Sequence, residues 1–257
     1  MNLELGDKNI FISASSDGTG RTIAESFLAE GANVCINGRN EEKLGRCIDE
    51  LVKIYGSHVS AICADASDEA GISKIAEELS QKHKSLDGMV CCLGSGKPME
   101  DDKLSPREWQ RLMQINLYSA EALVKSLLPL MKKAKASSIV FISSIAAKEY
   151  NGAPYAYAAA KGGILTLAKY LSHDLAAFGI RVNTVMPGNI FYEGGRWDEL
   201  MREDEASVKK YIDDSVPMRR FVTTKEIADA VVFLSSARSS FTTGAVLTVD
   251  GGQMAGY

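Results

Sequence analysis

The stretch Asn9-Ile10-Phe11-Ile12-Ser13-Ala14-Ser15-Ser16-Asp17-Gly18-Thr19-Gly20 opens on five residues of strand character and closes on two glycines that lead into a segment of helical period. From about Arg21 to Glu30, Ile23, Ala24, Phe27 and Leu28 fall on one stripe, and Gly31 supplies a usual helix stop. Glycines at 18 and 20 let the backbone turn tightly and come close to a phosphate, while the free amides of the helix start offer hydrogen bonds and a positive dipole end. Such a strand, loop and helix is one half of a nucleotide-binding unit, and a GxG loop is by itself a weak signal for it.

The same alternation continues outward. Val- and Ile-rich runs at 9–13, 33–37, 59–63, 88–92, 138–143, 181–186 and 245–250 are separated by longer segments of helical period. Repeated strand-helix units predict an α/β fold: one doubly wound domain over residues 1–257, with a seven-stranded parallel sheet and helices on both faces. A helix start is predicted at Ser105-Pro106-Arg107-Glu108, where a cap, a first-turn proline and an acid at the third position coincide. Its register puts Leu112, Ile115 and Asn116 near one face. Residues 188–214 break the pattern with charges, Trp197 and the pair Gly194-Gly195. They follow a strand's carboxyl end, where open sheets bind ligands, and are expected to form a substrate lid.

Composition narrows the class. The 257 residues are 46% hydrophobic and 24% charged, ordinary for a globular protein, and the formal net charge is -4 with neither sign in a long block. A dedicated nucleic-acid surface is therefore not expected. Lys132, Lys133 and Lys135 stand where a long helix should end and complement its dipole. No stretch approaches the ~18 apolar residues of a membrane span, and the start reads as no signal peptide, so a cytoplasmic location is expected. The five cysteines form no CxxC pair and the three histidines show no ligand spacing, so no metal is expected.

The chemistry concentrates in Tyr157-Ala158-Ala159-Ala160-Lys161, within helix-forming residues. Positions four apart share a helix face, so an ammonium can sit beside a phenol, favour the phenolate and bring a pKa of about 10 toward neutrality. The result is a candidate general acid and base.

Taken together, these residues resemble the short-chain dehydrogenase/reductase family over nearly the whole chain. Ser13 to Gly20 is similar to the family's cofactor loop TGxxxGxG, Asp65 to the acid near the adenine, and Tyr157 and Lys161 to the catalytic YxxxK. Pro187-Gly188 and Val249-Asp250-Gly251-Gly252 are also familiar from it. The resemblance implies a Rossmann-type fold and hydride transfer between a nicotinamide and a carbonyl or secondary alcohol. It further implies that Ser144, thirteen residues before Tyr157, holds the substrate oxygen, and that Asn116 helps hold Lys161 and a proton-relay water. Cofactor contacts are implied for Ala14, Ser15, Asp17, Gly18, Thr19, Gly20, Arg39, Asp65, Ala66, Cys91 and Gly94. Tyr157, Lys161, Pro187, Gly188 and Ile190 complete that set.

An NAD-preferring member would place an acid near Gly38; Arg39 stands there instead, and a permanently charged guanidinium suits a 2'-phosphate, so NADP is expected over NAD. Departures from the family pattern are Ala14 for the loop's first glycine, Cys91-Cys92-Leu93-Gly94 for Asn-Asn-Ala-Gly, Asp17 where NADP-preferring relatives often carry a base, and Tyr192 for a threonine that contacts the nicotinamide. The expected function is an NADP-dependent ketone reductase of 3-oxoacyl type acting on a small-molecule carbonyl or alcohol. The alternatives are a sugar or polyol dehydrogenase and a catalytically silent binding module. A carrier-bound thioester would need a basic surface beside the lid, to which Arg196, Arg202, Arg219 and Arg220 could contribute among acids. A homotetramer is implied by resemblance alone, with the tail from Phe241 suited to an interface.

Overall fold

A computed structural model of the chain describes residues 2–97 and 105–256. The strands are β1 (Asn9–Ile12), β2 (Asn33–Gly38), β3 (Val59–Cys63), β4 (Gly88–Cys91), β5 (Ser137–Ile142), β6 (Ile180–Pro187), β7 (Ile190–Phe191), β8 (Val222–Thr223) and β9 (Val246–Val249). Seven of them form a parallel sheet in the order β3-β2-β1-β4-β5-β6-β9, and β7 pairs with β8 in a separate two-stranded ribbon. The α-helices are α1 (Gly18–Ala29), α2 (Glu41–Tyr55), α3 (Glu69–Lys82), α4 (Pro106–Met113), α5 (Ser119–Met131), α6 (Tyr155–Asp174), α7 (Arg196–Glu203), α8 (Glu205–Ser215) and α9 (Thr224–Ser235). This is a doubly wound sheet whose strand order reverses between β1 and β4, and the crevice at their carboxyl ends is where such sheets bind ligands.

Both faces of the sheet are buried, which is why its strands read as continuous apolar runs. Ile10, Ile12, Val34, Ile36, Val140 and Ile142 face α1, α2 and α9, while Phe11, Cys35, Met89, Ile139 and Phe141 face α3, α5 and α6. Completely buried side chains such as Phe27 and Phe141 each contribute roughly 2–3 kcal/mol of transfer free energy.

Local signals set the helix ends. The Asp17 carboxylate accepts from the Gly18 amide at 2.7 Å, so α1 starts at Gly18, three residues before the start at Arg21 expected from sequence. Gly31 follows its end at φ +80°. Ser105 caps α4 through the Glu108 amide, with Pro106 in the first turn. Lys132 closes α5, and its ammonium also lies 3.7 Å above the Phe178 ring.

Between α4 and α5 the chain makes one π-helical turn, Gln114–Tyr118, and this wide turn carries Asn116. The stretch at 188–214, which breaks the strand-helix pattern in sequence, is nonetheless largely regular: β7, α7 and α8 occupy most of it. Val208, Val216 and Phe221 form a small core of their own there, against which Trp197 and Tyr211 pack. Trp197 stacks on Tyr211 at 5.0 Å and tilts against Phe221 at 4.5 Å. Among the described residues no helix is long and apolar enough to cross a membrane.

Candidate active site

Helix α6 begins after Pro154 and carries Tyr157 in its first turn and Lys161 one turn later. The Ser143 hydroxyl, at the end of β5, donates to the Lys161 carbonyl at 2.9 Å and ties the helix to the sheet. Ser144 follows in extended conformation, with its oxygen accepting the Ala146 amide at 3.2 Å and its side chain near enough to the Tyr157 phenol to draw that phenol's pKa down. Lys161 is only 4% exposed. Its ammonium donates to the Ile142 carbonyl at 2.9 Å and stands 5.7 Å from the centre of the Tyr157 ring.

Asn116 completes the group. Its amide nitrogen donates to the carbonyls of Ser95 and Leu112, and its oxygen accepts the Ser95 amide, so it fastens the segment after β4 to the π-helical turn. Gly94 lies between: a Cβ there would come within 2.7 Å of both Asn116 Oδ1 and Lys161 Nζ. The absence of a side chain at 94 is therefore a requirement of the site. Asn116, Ser144, Tyr157 and Lys161 thus lie together at the carboxyl ends of β4 and β5.

Protonation differs from the sequence expectation. Burial holds the Tyr157 phenol above its ordinary value of 10, and the hydrogen bond from Ser144 draws it part of the way back. Burial also pushes Lys161 down to about 8. The lysine's own charge is thus costly where it stands, and it does not by itself bring the phenol toward neutrality in the cofactor-free protein.

The loop after β1 fits a phosphate-bearing dinucleotide on two observations. Gly18 has φ +51°, and a Cβ on Gly20 would stand 2.3 Å from the Ala14 carbonyl oxygen, so strand and helix meet closer than any side chain allows. Ala14, in place of the loop's usual first glycine, indeed adopts φ +50°, the left-handed conformation that costs an alanine roughly 1–2 kcal/mol. Ser15 is buried, accepting the Asn37 amide and donating to the Ile12 carbonyl. Thr19 follows in the first turn of α1.

At the far end of the crevice Arg39 projects into solvent with its guanidinium 3.1 Å from Asp65, whose carboxylate also accepts from Ser67. Ala66 is buried beside them. On the opposite side, Pro187 runs in ladder with Val249, the Gly188 amide donates to the Val249 carbonyl, and Gln253 receives the Asn189 amide. The two glycine-containing motifs near 188 and 251 are thereby one structural unit, next to Ile190 in β7. Cys91 is buried in one core cluster and Cys92 packs against the other. Burial raises both thiols, Cys92 to about 11, which keeps them protonated and unreactive at neutral pH.

Two contributors went unread in the sequence, and one loop residue has a support role that was not read. Asn37, buried at the end of β2, donates to the carbonyls of Ile62 and Ala64 and accepts the Ala14 amide, holding the loop in place. A polar residue at the end of an apolar strand was the available signal. Lys43 lies 2.5 Å from the Asp17 carboxylate, an ion pair that helps to hold the latter's pKa low. Ser13 accepts the amides of Cys92 and Leu93, the support that this loop receives with cysteines in place of asparagines. Among the described residues no three His, Cys, Asp or Glu side chains cluster to hold a metal.

Comparison with known proteins gives the family. Residues 13–254 match the family model described as Enoyl-(Acyl carrier protein) reductase. A 3-oxoacyl acyl-carrier-protein reductase from Chlamydia pneumoniae is 33% identical over 252 residues, covering 98% of this chain and 99% of that protein. The crystal structure of L-sorbose reductase from Gluconobacter frateurii, complexed with NADPH and L-sorbose, superposes with a TM-score of 0.92 at 26% identity over 100% of both chains. A gluconate 5-dehydrogenase from Burkholderia cenocepacia, in complex with NADP and tartrate, does so with a TM-score of 0.88 at 27% identity over 100% of this chain and 98% of that one. The chain belongs to the short-chain dehydrogenase/reductase family, and it is an oxidoreductase of that family.

Proposed function

We propose that this protein is an NADP(H)-dependent reductase of a small ketone, of 3-oxoacyl type, working through Ser144, Tyr157, Lys161 and Asn116. The carrying observation is the buried Lys161 ammonium 5.7 Å from the centre of the Tyr157 ring, one helical turn away, with Ser144 beside the phenol and drawing its pKa down. When bound, a nicotinamide dinucleotide supplies or accepts the hydride. The chain's residues manage the oxygen: Ser144 donates a hydrogen bond to it, and Tyr157, its phenol kept protonated by burial, gives it the proton that completes the alcohol. Asn116 fixes the Ser95 segment beside Lys161.

NADP over NAD is supported by Arg39, whose exposed guanidinium suits a phosphate, and by the NADPH and NADP held in the two superposed structures. In this reading α7 and α8 are the substrate lid, and the protein assembles as a cytoplasmic homotetramer. A second substrate class, a sugar or polyol, is favoured by the lid's charges. Arg196, Arg202, Arg219 and Arg220 each have an acid beside them, so this surface is a mixture of signs rather than the uniformly basic patch on which an acidic carrier protein would dock.

The test is a fluorescence titration with NADPH and NADH, followed by turnover with an acetoacetyl thioester and with L-sorbose. NADPH is expected to bind more tightly, and Arg39→Asp to weaken NADPH far more than NADH. Equal losses for the two cofactors refute the assignment of Arg39, and binding of neither makes the silent module the better reading.

A further inference from the structure

The segment after β7 is fastened to both walls of the crevice. On the side of the β1 loop, the Tyr192 ring is wedged between two glycines. A Cβ on Gly18 would stand 2.9 Å from Tyr192 Cε2 and 3.3 Å from its hydroxyl oxygen, and one on Gly195 would stand 2.7 Å from Cε1. On the side of the β4 loop, the Lys97 ammonium lies 3.4 Å from the carboxylate of Glu199, on α7. The ring therefore fits only because residues 18 and 195 have no side chains.

That position has a consequence for any dinucleotide. The bare face of a loop glycine is what lets its backbone approach a pyrophosphate. At Gly18 that face is already covered, at a distance where even a methyl group would overlap the ring. The Gly18 amide is also engaged, by the Asp17 carboxylate at 2.7 Å. A phosphate approaching that face of Gly18 would require the Tyr192 ring to move.

Resting on the dinucleotide reading above, we propose that Tyr192 is a latch that holds the lid shut across the cofactor loop and is displaced by the cofactor, so that lid position sets cofactor affinity. Only the fraction of molecules with the ring withdrawn accepts the dinucleotide, and the apparent affinity is reduced by that fraction. Lys97–Glu199 is the second fastening; it is exposed and contributes less.

The test is equilibrium titration of the full chain with NADPH and NADH, comparing the parent with Tyr192→Ala, Tyr192→Phe and Glu199→Gln, each checked for fold by far-UV circular dichroism. Removing the ring is expected to lower the NADPH Kd about tenfold, as for a latch open about a tenth of the time. Tyr192→Phe keeps the ring and should stay within about twofold of the parent, while Glu199→Gln should shift the Kd about twofold in the same direction as Tyr192→Ala. An unchanged, measurable Kd in folded Tyr192→Ala overturns the latch and leaves the dinucleotide reading standing. Weaker binding in Tyr192→Ala makes the ring a cofactor contact and likewise overturns it. If no form binds either dinucleotide, the dinucleotide reading itself fails and the latch falls with it; if only Tyr192→Ala binds, both stand.

Discussion

Lys161→Met is expected to make the cofactor-free protein more stable while abolishing turnover. Lys161 is 4% exposed, and burial takes its pKa from the ordinary 10.5 to about 8. Holding the charged form inside at pH 7 therefore costs about 3 kcal/mol, at roughly 1.4 kcal/mol per pH unit. Methionine fills similar volume without charge but forfeits the hydrogen bond to the Ile142 carbonyl, which returns about 1 kcal/mol. The net gain is about 2 kcal/mol, or roughly 4–8 °C in Tm for a domain of this size. The sign with pH follows from linkage. Because the folded pKa lies below the unfolded one, the unfolded chain holds a proton that the folded chain has released between pH about 8 and 10.5, and the parent gains stability as pH rises through that window. The advantage of the methionine variant should be full at pH 7 and shrink by pH 10. Urea unfolding of both forms at the two pH values, without dinucleotide, measures it. A variant no more stable than the parent at pH 7, or a difference that does not change with pH, would show that the buried Lys161 charge does not destabilise the fold.

Two further substitutions probe the walls of the crevice. Ala14→Gly relieves the left-handed strain at φ +50° and loses part of the gain to the freer unfolded chain, for a net stabilisation of about 0.5–1 kcal/mol in denaturant midpoints; a loss of stability would show that the alanine is unstrained. Gly94→Ala drives a methyl to 2.7 Å from both Asn116 Oδ1 and Lys161 Nζ, and kcat should fall on the order of 100-fold with the fold intact. Unchanged kcat would remove the backbone at 94 from the site.

The sheet was legible because its strands are buried on both faces, so that runs such as Ser138-Ile139-Val140-Phe141-Ile142 announce themselves without any need for alternation. Of the proposed catalytic group, Tyr157 and Lys161 were legible as a pair one helical turn apart, whereas Ser144, two residues past β5, and Asn116 were read only through the family resemblance. What stayed hidden depends on distant partners or on broken periodicity. Lys43 meets Asp17 across 26 positions, and Asn37 reaches the loop across 23. Helix α7, RWDELMRE, spans only eight residues with none fully buried, so its short apolar stripe of Trp197, Leu200 and Met201 was easily missed; that stripe packs on the small core and Asp198–Arg202 pairing supplies the rest of the order. The rise in the Tyr157 pKa was missed because spacing reveals a neighbouring cation but not how deeply both groups are buried.

The wide turn at Gln114–Tyr118 lets one continuous rod answer to two unrelated sets of neighbours. In an unbroken α-helix each residue advances about 100°, so every face is phase-locked to every other along its length. Here the phase slips between α4, which presents the Glu108–Arg111 pair toward the Lys97 carbonyl, and α5, which lays Leu123, Val124 and Leu127 on the sheet. Sequence drift in the core-facing half can therefore be absorbed without rotating Asn116 away from Ser95, and the mouth of the site can change its clientele without disturbing the sheet beneath it.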